Sequence, residues 1–202
     1  MHISEGVLSG PVLVAGAGAA LIGTAIGLKR VDYDRLVTVA ILSSAFFVAT
    51  LVHVPIGPVS AHLVLNGLLG FMLGWAAFPA ILVGLALQAA LFQYGGFTTL
   101  GVNALNMALP AVVCFYLFRP LMRSPRGRYA GAFFCGSLSV LLAGVMTAAA
   151  LALSEEGFMT AARLVLAAHL PVMIVEGLIT AGAVGFLARV RPEVMETPVH
   201  KT

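Results

Sequence analysis

The stretch Tyr129–Leu153, YAGAFFCGSLSVLLAGVMTAAALAL, runs for 25 residues without a charged side chain. At 1.5 Å of rise per residue a helix of that length measures about 38 Å, enough to cross a hydrocarbon layer roughly 30 Å thick. Arg126 and Arg128 precede it, and Glu155 and Glu156 follow it. An uncharged run with charge held at both ends reads as a membrane-spanning helix.

The same reading outward along the chain gives six more apolar stretches, 7–28, 36–53, 60–77, 79–94, 104–119 and 171–190. Spans three and four are parted only by Ala77-Phe78 ahead of Pro79, which reads as a tight turn. The segment 93–104, QYGGFTTLGVNA, reads as a Gly- and Thr-rich loop that is free to dip back wherever protein or water covers its backbone. The composition agrees: of 202 residues 60% are hydrophobic and 9% charged, and the mean hydropathy is +1.05. A soluble domain carries about 25% charged residues, so too few polar groups are present to cover a watery surface. The expected fold is an all-α polytopic bundle of about seven spans, forming one transmembrane domain over 1–202 with no linker and no repeat of fixed period.

Seven spans put the two ends of the chain on opposite sides. With the N-terminus outside, the inner segments hold Lys29, Arg30, Arg35, Arg119, Arg123, Arg126, Arg128, Arg189, Arg191 and Lys201, and the outer ones hold only Arg163. That asymmetry obeys the positive-inside rule and predicts N-out, C-in in the plasma (inner) membrane. The net charge of +3 therefore encodes topology and does not point to nucleic acid. Cys114 and Cys135 fall in apolar stretches and read as inert buried thiols. A cleaved signal peptide opens on a basic region, whereas the first Lys or Arg here is Lys29; the N-terminus is expected to be retained.

That expectation matters because the chain opens Met1-His2-Ile3-Ser4-Glu5-Gly6. A free α-amine, the amide nitrogen of residue 2 and the His2 imidazole reach a single ion, closing two small chelate rings and filling three corners of a square. Nitrogen donors in tetragonal geometry suit Ni(II) or Cu(II), with Co(II) also able to use them. The hard ions Mg(II) and Ca(II) prefer oxygen. His at position 2 is too large for the initiator Met to be removed, so Met1 is expected to stay. His62, in Ser60-Ala61-His62-Leu63, falls at the outer end of the third span and is placed to supply the fourth nitrogen. The candidate metal residues are thus Met1, His2 and His62. The competing reading is ordinary: a chance Met-His start and a solvated loop histidine. His53 and His169 fall near the outer boundary and fit interfacial histidines equally well, and His200 lies in the inner tail.

Ionisable groups inside a membrane are costly and are functional candidates by default. Glu176 and Gln88 each lie about six residues inward from an outer end, roughly 9 Å deep, which predicts a hydrogen-bonded pair beneath the metal site. The alternative is that Glu176 merely ties two helices. Asn66, Asn103 and Asn106 are candidates to orient His62 or to cap broken helices. In the first span Gly16/Ala20 and Gly23/Gly27 follow small-xxx-small spacing, a face suited to packing within the bundle or to docking another membrane subunit. No G-x-x-x-x-G-K-[ST] is present, nor a G-x-S-x-G, so the chain carries no P-loop ATPase and no sign of an intramembrane hydrolase. It reads as a non-catalytic subunit whose energy comes from a partner or a gradient.

The opening Met1-His2-Ile3-Ser4-Glu5-Gly6 resembles the M-H-I-x-[DE]-G start of the CbiM/NikM family, the substrate-binding S-components of energy-coupling factor (ECF) transporters for cobalt and nickel. The likeness runs on through Ser60–Leu63, Gly95–Asn103, Asn106-Met107, Ala168–Pro171, Glu176–Ala181 and Val190–Glu193, nearly the whole chain. The resemblance implies a seven-helix S-component that captures Co(II) or Ni(II) as transported substrate, holds no organic cofactor, and feeds processes such as cobalamin biosynthesis. It implies metal ligation by the Met1 amine, the His2 amide and imidazole, and His62. It also implies a transmembrane coupling (T) subunit, two cytoplasmic ATPases and a small accessory membrane protein as partners. Metal would be taken outside and delivered when the subunit tilts in the bilayer. The basic loop Arg119–Arg128 and the small-residue face of the first helix are then the candidate contacts. Some members carry the accessory subunit on a C-terminal extension; with the chain ending soon after Glu193, that partner is expected to be separate or missing. The ligand set does not choose between the two metals, and the overall look of the chain leans to cobalt. The alternatives are a stand-alone secondary metal transporter and a membrane metal sensor or scaffold.

Overall fold

The computed structural model describes residues 2–56 and 59–192, with side chains throughout except at 53–56, 59–61, 122–123 and 156. Met1, His200 and Lys201, and the side chains of His53 and Arg123, therefore lie outside the described residues. Within them the chain forms α1 (Gly10–Lys29), α2 (Leu36–Ala49), a hairpin of β1 (His53–Ile56) and β2 (Val59–His62), then α3 (Asn66–Leu73) and α4 (Ala77–Phe92). α5 (Leu100–Phe118), α6 (Pro125–Ala152) and α7 (Met159–Val190) complete it.

Helix starts follow local chemistry. Pro11 falls in the first turn of α1, where its missing N–H breaks no bond. Ser124 caps α6, accepting from the Gly127 N–H at 3.0 Å ahead of Pro125, as N-cap serines do. Two expected loops prove to be partly helix. α5 begins at Leu100, so only the first part of 93–104 is loop, and α7 begins at Met159, so most of the expected outer loop 154–170 is the first third of a 32-residue helix. Both extensions are apolar enough to continue the helix of the bundle.

Five helical runs among the described residues are long and apolar enough to cross a membrane. α2, at 14 residues, is about 21 Å long and falls short. The run Asn66–Phe92 counts as one by length, yet it folds back on itself. His62, four residues before α3, has its ring 4.9 Å from that of His2. Gln88, near the far end of α4, bonds the same His2 ring at 2.7 Å. The upstream end of α3 and the downstream end of α4 thus converge on one residue, and the chain must reverse between them. The reversal lies in the single 3-10 turn Gly74–Ala76, not at Ala77-Phe78. Gly74 stands at φ 55, ψ −124, a conformation open only to a residue without Cβ.

The expected helix over 60–77 is accordingly half a helix. Its inner half is α3, eight residues and about 12 Å, every one of them buried. Its outer part, 60–62, is the end of β2, paired antiparallel with β1 so that His53 lies opposite His62. A hairpin satisfies backbone groups between its own strands, which is what permits irregular chain inside a bundle.

The remaining contacts fix the order of ends. The Ser9 N–H donates to Ser154 Oγ at 3.2 Å, so the start of α1 adjoins the end of α6. At the opposite end, Arg30 Nη1 and Trp75 Nε1 both donate to Tyr116 Oη at 3.0 Å, and the Arg30 guanidinium sits 5.5 Å from the Trp75 ring centre. Tyr129 at the start of α6 lies against Gly185 near the end of α7. α1 therefore starts, and α7 finishes, at opposite ends of the bundle.

The buried residues of α1 are Gly16, Ala20, Gly23 and Gly27, the small-residue stripe itself. Gly16 rests on Val102 of α5 and Gly23 on Phe78 of α4, and a Cβ on Gly27 would stand 2.6 Å from Pro79 Cδ. This corrects one expectation: the face packs inside the bundle and is not available to a separate subunit. The other side of α1 shows Val14, Leu21 and Ile22, each at least 65% exposed. Meanwhile Asn66, Gln88, Ser139, Glu176 and Thr180 have no exposed surface. Apolar outside and polar within is the arrangement of a protein solvated by lipid. Cys114 and Cys135 are buried free thiols, as expected.

Candidate metal centre

Three elements converge on the N-terminal segment. The loop after α4 turns at Gln93, left-handed with φ 57, and at Gly95 with φ 77, which brings Tyr94 to 6.3 Å from His2 between ring centres. Asn103, in the first turns of α5, clamps Ile3 from both sides: the Ile3 N–H donates to Asn103 Oδ1 at 3.0 Å, and Asn103 Nδ2 donates to the Ile3 carbonyl at 3.0 Å. Thr99 Oγ1 donates a second bond to that carbonyl at 2.9 Å. Further along, the Thr98 N–H donates to Glu5 Oε1 at 3.2 Å. A Cβ on Gly96 would collide with the Glu5 side chain, so this glycine is what allows the two segments to lie together. An N-terminus that would otherwise fray is docked as if it were an inserted peptide.

His2 and His62 are brought side by side, with ring centres 4.9 Å apart. Each ring has one nitrogen committed to an acceptor. Gln88 Oε1 is 2.7 Å from His2 Nε2, and the Gln88 amide nitrogen is already used, donating to the Phe47 carbonyl at 3.2 Å and to Thr50 Oγ1. The oxygen therefore faces His2, and Nε2 carries the proton. A carbonyl can only accept, so His62 Nδ1, 3.0 Å from the Leu63 carbonyl, is likewise protonated. These bonds put the lone pair of His2 on Nδ1 and that of His62 on Nε2. Ring orientation by a neighbouring acceptor is the usual support of a metal-binding histidine.

A cleft of about 430 Å³ opens over these rings and is lined also by Tyr94, Thr147, Val165 and His169. A second groove, of about 350 Å³, lies along α2 and α4 and is walled by aliphatic side chains, Phe47, Ser43 and Ser44; its lining holds no His, Cys, Asp or Glu. His169 is almost buried, and its Nδ1 donates to the Val165 carbonyl at 2.6 Å. Among the described residues no three His, Cys, Asp or Glu side chains gather around one point. Among the described residues the two imidazoles alone do not complete a ligand set, and the main-chain nitrogens beside His2 are the further donors that the sequence offers.

Two expectations need correcting. Gln88 and Glu176 are not a pair: Gln88 serves His2, whereas Glu176 accepts from the main-chain N–H groups of Val64 and Leu65. Matching depth did not make them neighbours because they face different elements. Nor do the asparagines orient His62. Asn103 holds Ile3, Asn66 donates to the Met107 carbonyl at 3.1 Å and accepts from the Gly67 N–H, and Asn106 bonds Thr147. Thr99 and Tyr94 are not among the candidate residues read from the sequence; the signal for them is the Gly- and Thr-rich run 93–104 just past a span.

The chain is similar over most of its length to known proteins. The family model for the cobalt uptake substrate-specific transmembrane region, CbiM, matches residues 2–194. A Haemophilus influenzae protein with the provisional name of a metal transport protein is 43% identical over 199 residues, covering 96% of this chain and 97% of its own length. An Archaeoglobus fulgidus protein provisionally named a fused nickel transport protein, NikMN, is 35% identical over 210 residues, covering 97% of this chain and 68% of that one. A crystal structure of a transition metal transporter superposes with a TM-score of 0.83 at 28% identity, over 94% of this chain and 93% of the other.

Proposed function

This chain belongs to the CbiM family, a multi-pass membrane component of cobalt and nickel transport, and we propose that it captures its metal ion with its own N-terminus. The ion is the transported substrate. Its four donors are the Met1 amine, the His2 amide nitrogen, His2 Nδ1 and His62 Nε2. The observation that carries this reading is the pair of oriented rings. In a chelate that runs from amine through amide to Nδ1, the one open corner of the square is adjacent to the His2 imidazole. Imidazoles on adjacent corners hold their centres roughly 4–5 Å apart, given metal–nitrogen bonds of about 2 Å; opposite corners would require about 6 Å. The observed 4.9 Å supports adjacent corners. The tautomers support it as well, since Nδ1 is the only His2 ring nitrogen that closes a six-membered ring with the amide.

In this reading the chain works as a single S-component of an ECF-type importer, N-terminus outside, in the plasma membrane. A coupling subunit, two cytoplasmic ATPases and a small accessory membrane protein supply the power stroke and assembly, and the loop Arg119–Arg128 is the contact on the inner face. The gathering of Lys29, Arg30, Arg119, Arg128 and Arg191 near the end of the bundle opposite His2 supports that orientation. Tetragonal nitrogen ligation suits Ni(II) and admits Co(II).

The test is Ni(II) and Co(II) binding by purified protein whose Met1 amine has been acetylated. The blocked nitrogen has no lone pair to give the ion, so affinity should fall by more than about a hundredfold, equivalent to about 3 kcal/mol. Undiminished binding, with mass spectrometry showing the acetyl group in place, overturns the site.

A further inference from the structure

Glu176 is a carboxylate with no exposed surface in the middle of α7, and the chelate described above makes no use of it. Its partners are two consecutive main-chain amides. The Leu65 N–H lies 3.1 Å from Oε1 and 3.0 Å from Oε2, and the Val64 N–H points at Oε1. Successive amides aimed at one anion form a nest. This one occurs where the chain leaves β2 and enters α3, and it begins two residues after His62.

The Val64 N–H and the Leu63 carbonyl belong to the same peptide unit, which is rigid and planar. That carbonyl is the acceptor for His62 Nδ1 at 3.0 Å. The carboxylate therefore grips one edge of a plate whose other edge holds the imidazole. Fixing the plate fixes the direction of the carbonyl, and with it the tautomer and tilt of the ring. The neighbouring Leu65 stands at φ 51, a region leucine seldom occupies, and such backbone persists only where its surroundings over-determine it. Glu176 is itself locked: a Cβ on Gly136 of α6 would stand 2.8 Å from the Glu176 carbonyl, and Gly67 of α3 packs on Gly136 from the other side.

We propose that Glu176 is a positioning residue for metal capture, setting His62 through the Leu63–Val64 peptide without touching the ion. The proposal rests on the four-nitrogen site above. It extends to one interposed peptide the familiar pattern in which a carboxylate orients a metal-bound histidine.

The experiment compares Ni(II) affinity and visible absorption for the wild type, Glu176→Gln, His62→Ala and the double variant in detergent, each verified as folded by thermal unfolding. Glutamine keeps the shape but sets an N–H group against main-chain donors. The expected result is a loss of roughly tenfold to a hundredfold, a spectrum shifted toward that of His62→Ala, and a double variant no weaker than His62→Ala alone. Should Glu176→Gln fail to fold, Glu176→Asp keeps the charge but draws it back from Val64, and the same spectral shift is expected. Wild-type affinity and spectrum in the Glu176 variants, or losses that multiply in the double variant, overturn this inference and leave the chelate standing. A wild-type protein that binds no Ni(II) overturns both.

Discussion

Gln88 has no exposed surface, and its amide works in two directions: nitrogen toward Phe47 and Thr50 of the α2 end, oxygen toward His2. The first pair of bonds decides the second, because an amide whose nitrogen is spoken for can offer only its oxygen. Replacing Gln88 by Leu keeps the bulk and removes the acceptor, so His2 loses the partner that keeps its proton on Nε2. Ni(II) affinity should then fall by roughly tenfold to a hundredfold, read by competition with a coloured chelator. An unchanged affinity would mean that His2 needs no such support. In the sequence Gln88 was visible as a polar residue in an apolar helix, but its partner was not. Depth along a helix can be counted from sequence; the direction a residue faces across a bundle cannot.

α3 shows how an element is shaped by what surrounds it. It is a half-length helix with every residue buried, held against α5 and α6 by glycines. A Cβ on Gly70 would stand 2.9 Å from Ala111 Cα and closer still to the Ala111 carbonyl. Gly70→Ala should therefore destabilise the protein by about 1–3 kcal/mol through overpacking, measured by thermal unfolding in detergent. Gly18 is the contrast: a Cβ there meets nothing within 4 Å, so Gly18→Ala should leave the midpoint unchanged or slightly raised. Equal effects at the two positions would contradict the packing. The stripe on α1 was legible because small-xxx-small spacing is a statement about one helix. The split of 60–77 into hairpin and short helix was not, since its apolar composition suits a buried strand and a buried helix alike.

For the molecule as a whole, the proposed orientation makes a prediction about sidedness. Glu155 follows α6 and is exposed, and Tyr33 lies between α1 and α2 at 87% exposure; the two sit at opposite ends of the bundle. In intact cells a membrane-impermeant thiol reagent should label Glu155→Cys and spare Tyr33→Cys. Background should be low because both native cysteines are buried. The reverse pattern would place the N-terminus and its metal site in the cytoplasm and end the import reading.

Membrane class, helical architecture, family and the two histidines worth watching were all written in the sequence, because each depends on composition, on period along one helix or on a local motif. Apolar length against bilayer thickness is a one-dimensional sum, and the donors that the proposed site draws from residues 1 and 2 are neighbours in the chain. The tertiary structure alone decided which polar group faces which histidine, where the chain turns back, and that the small-residue face is spent inside the bundle. Those outcomes depend on how helices far apart in sequence rotate and pack against each other. A residue's neighbours across a bundle are set by that packing, and no count along the chain contains it.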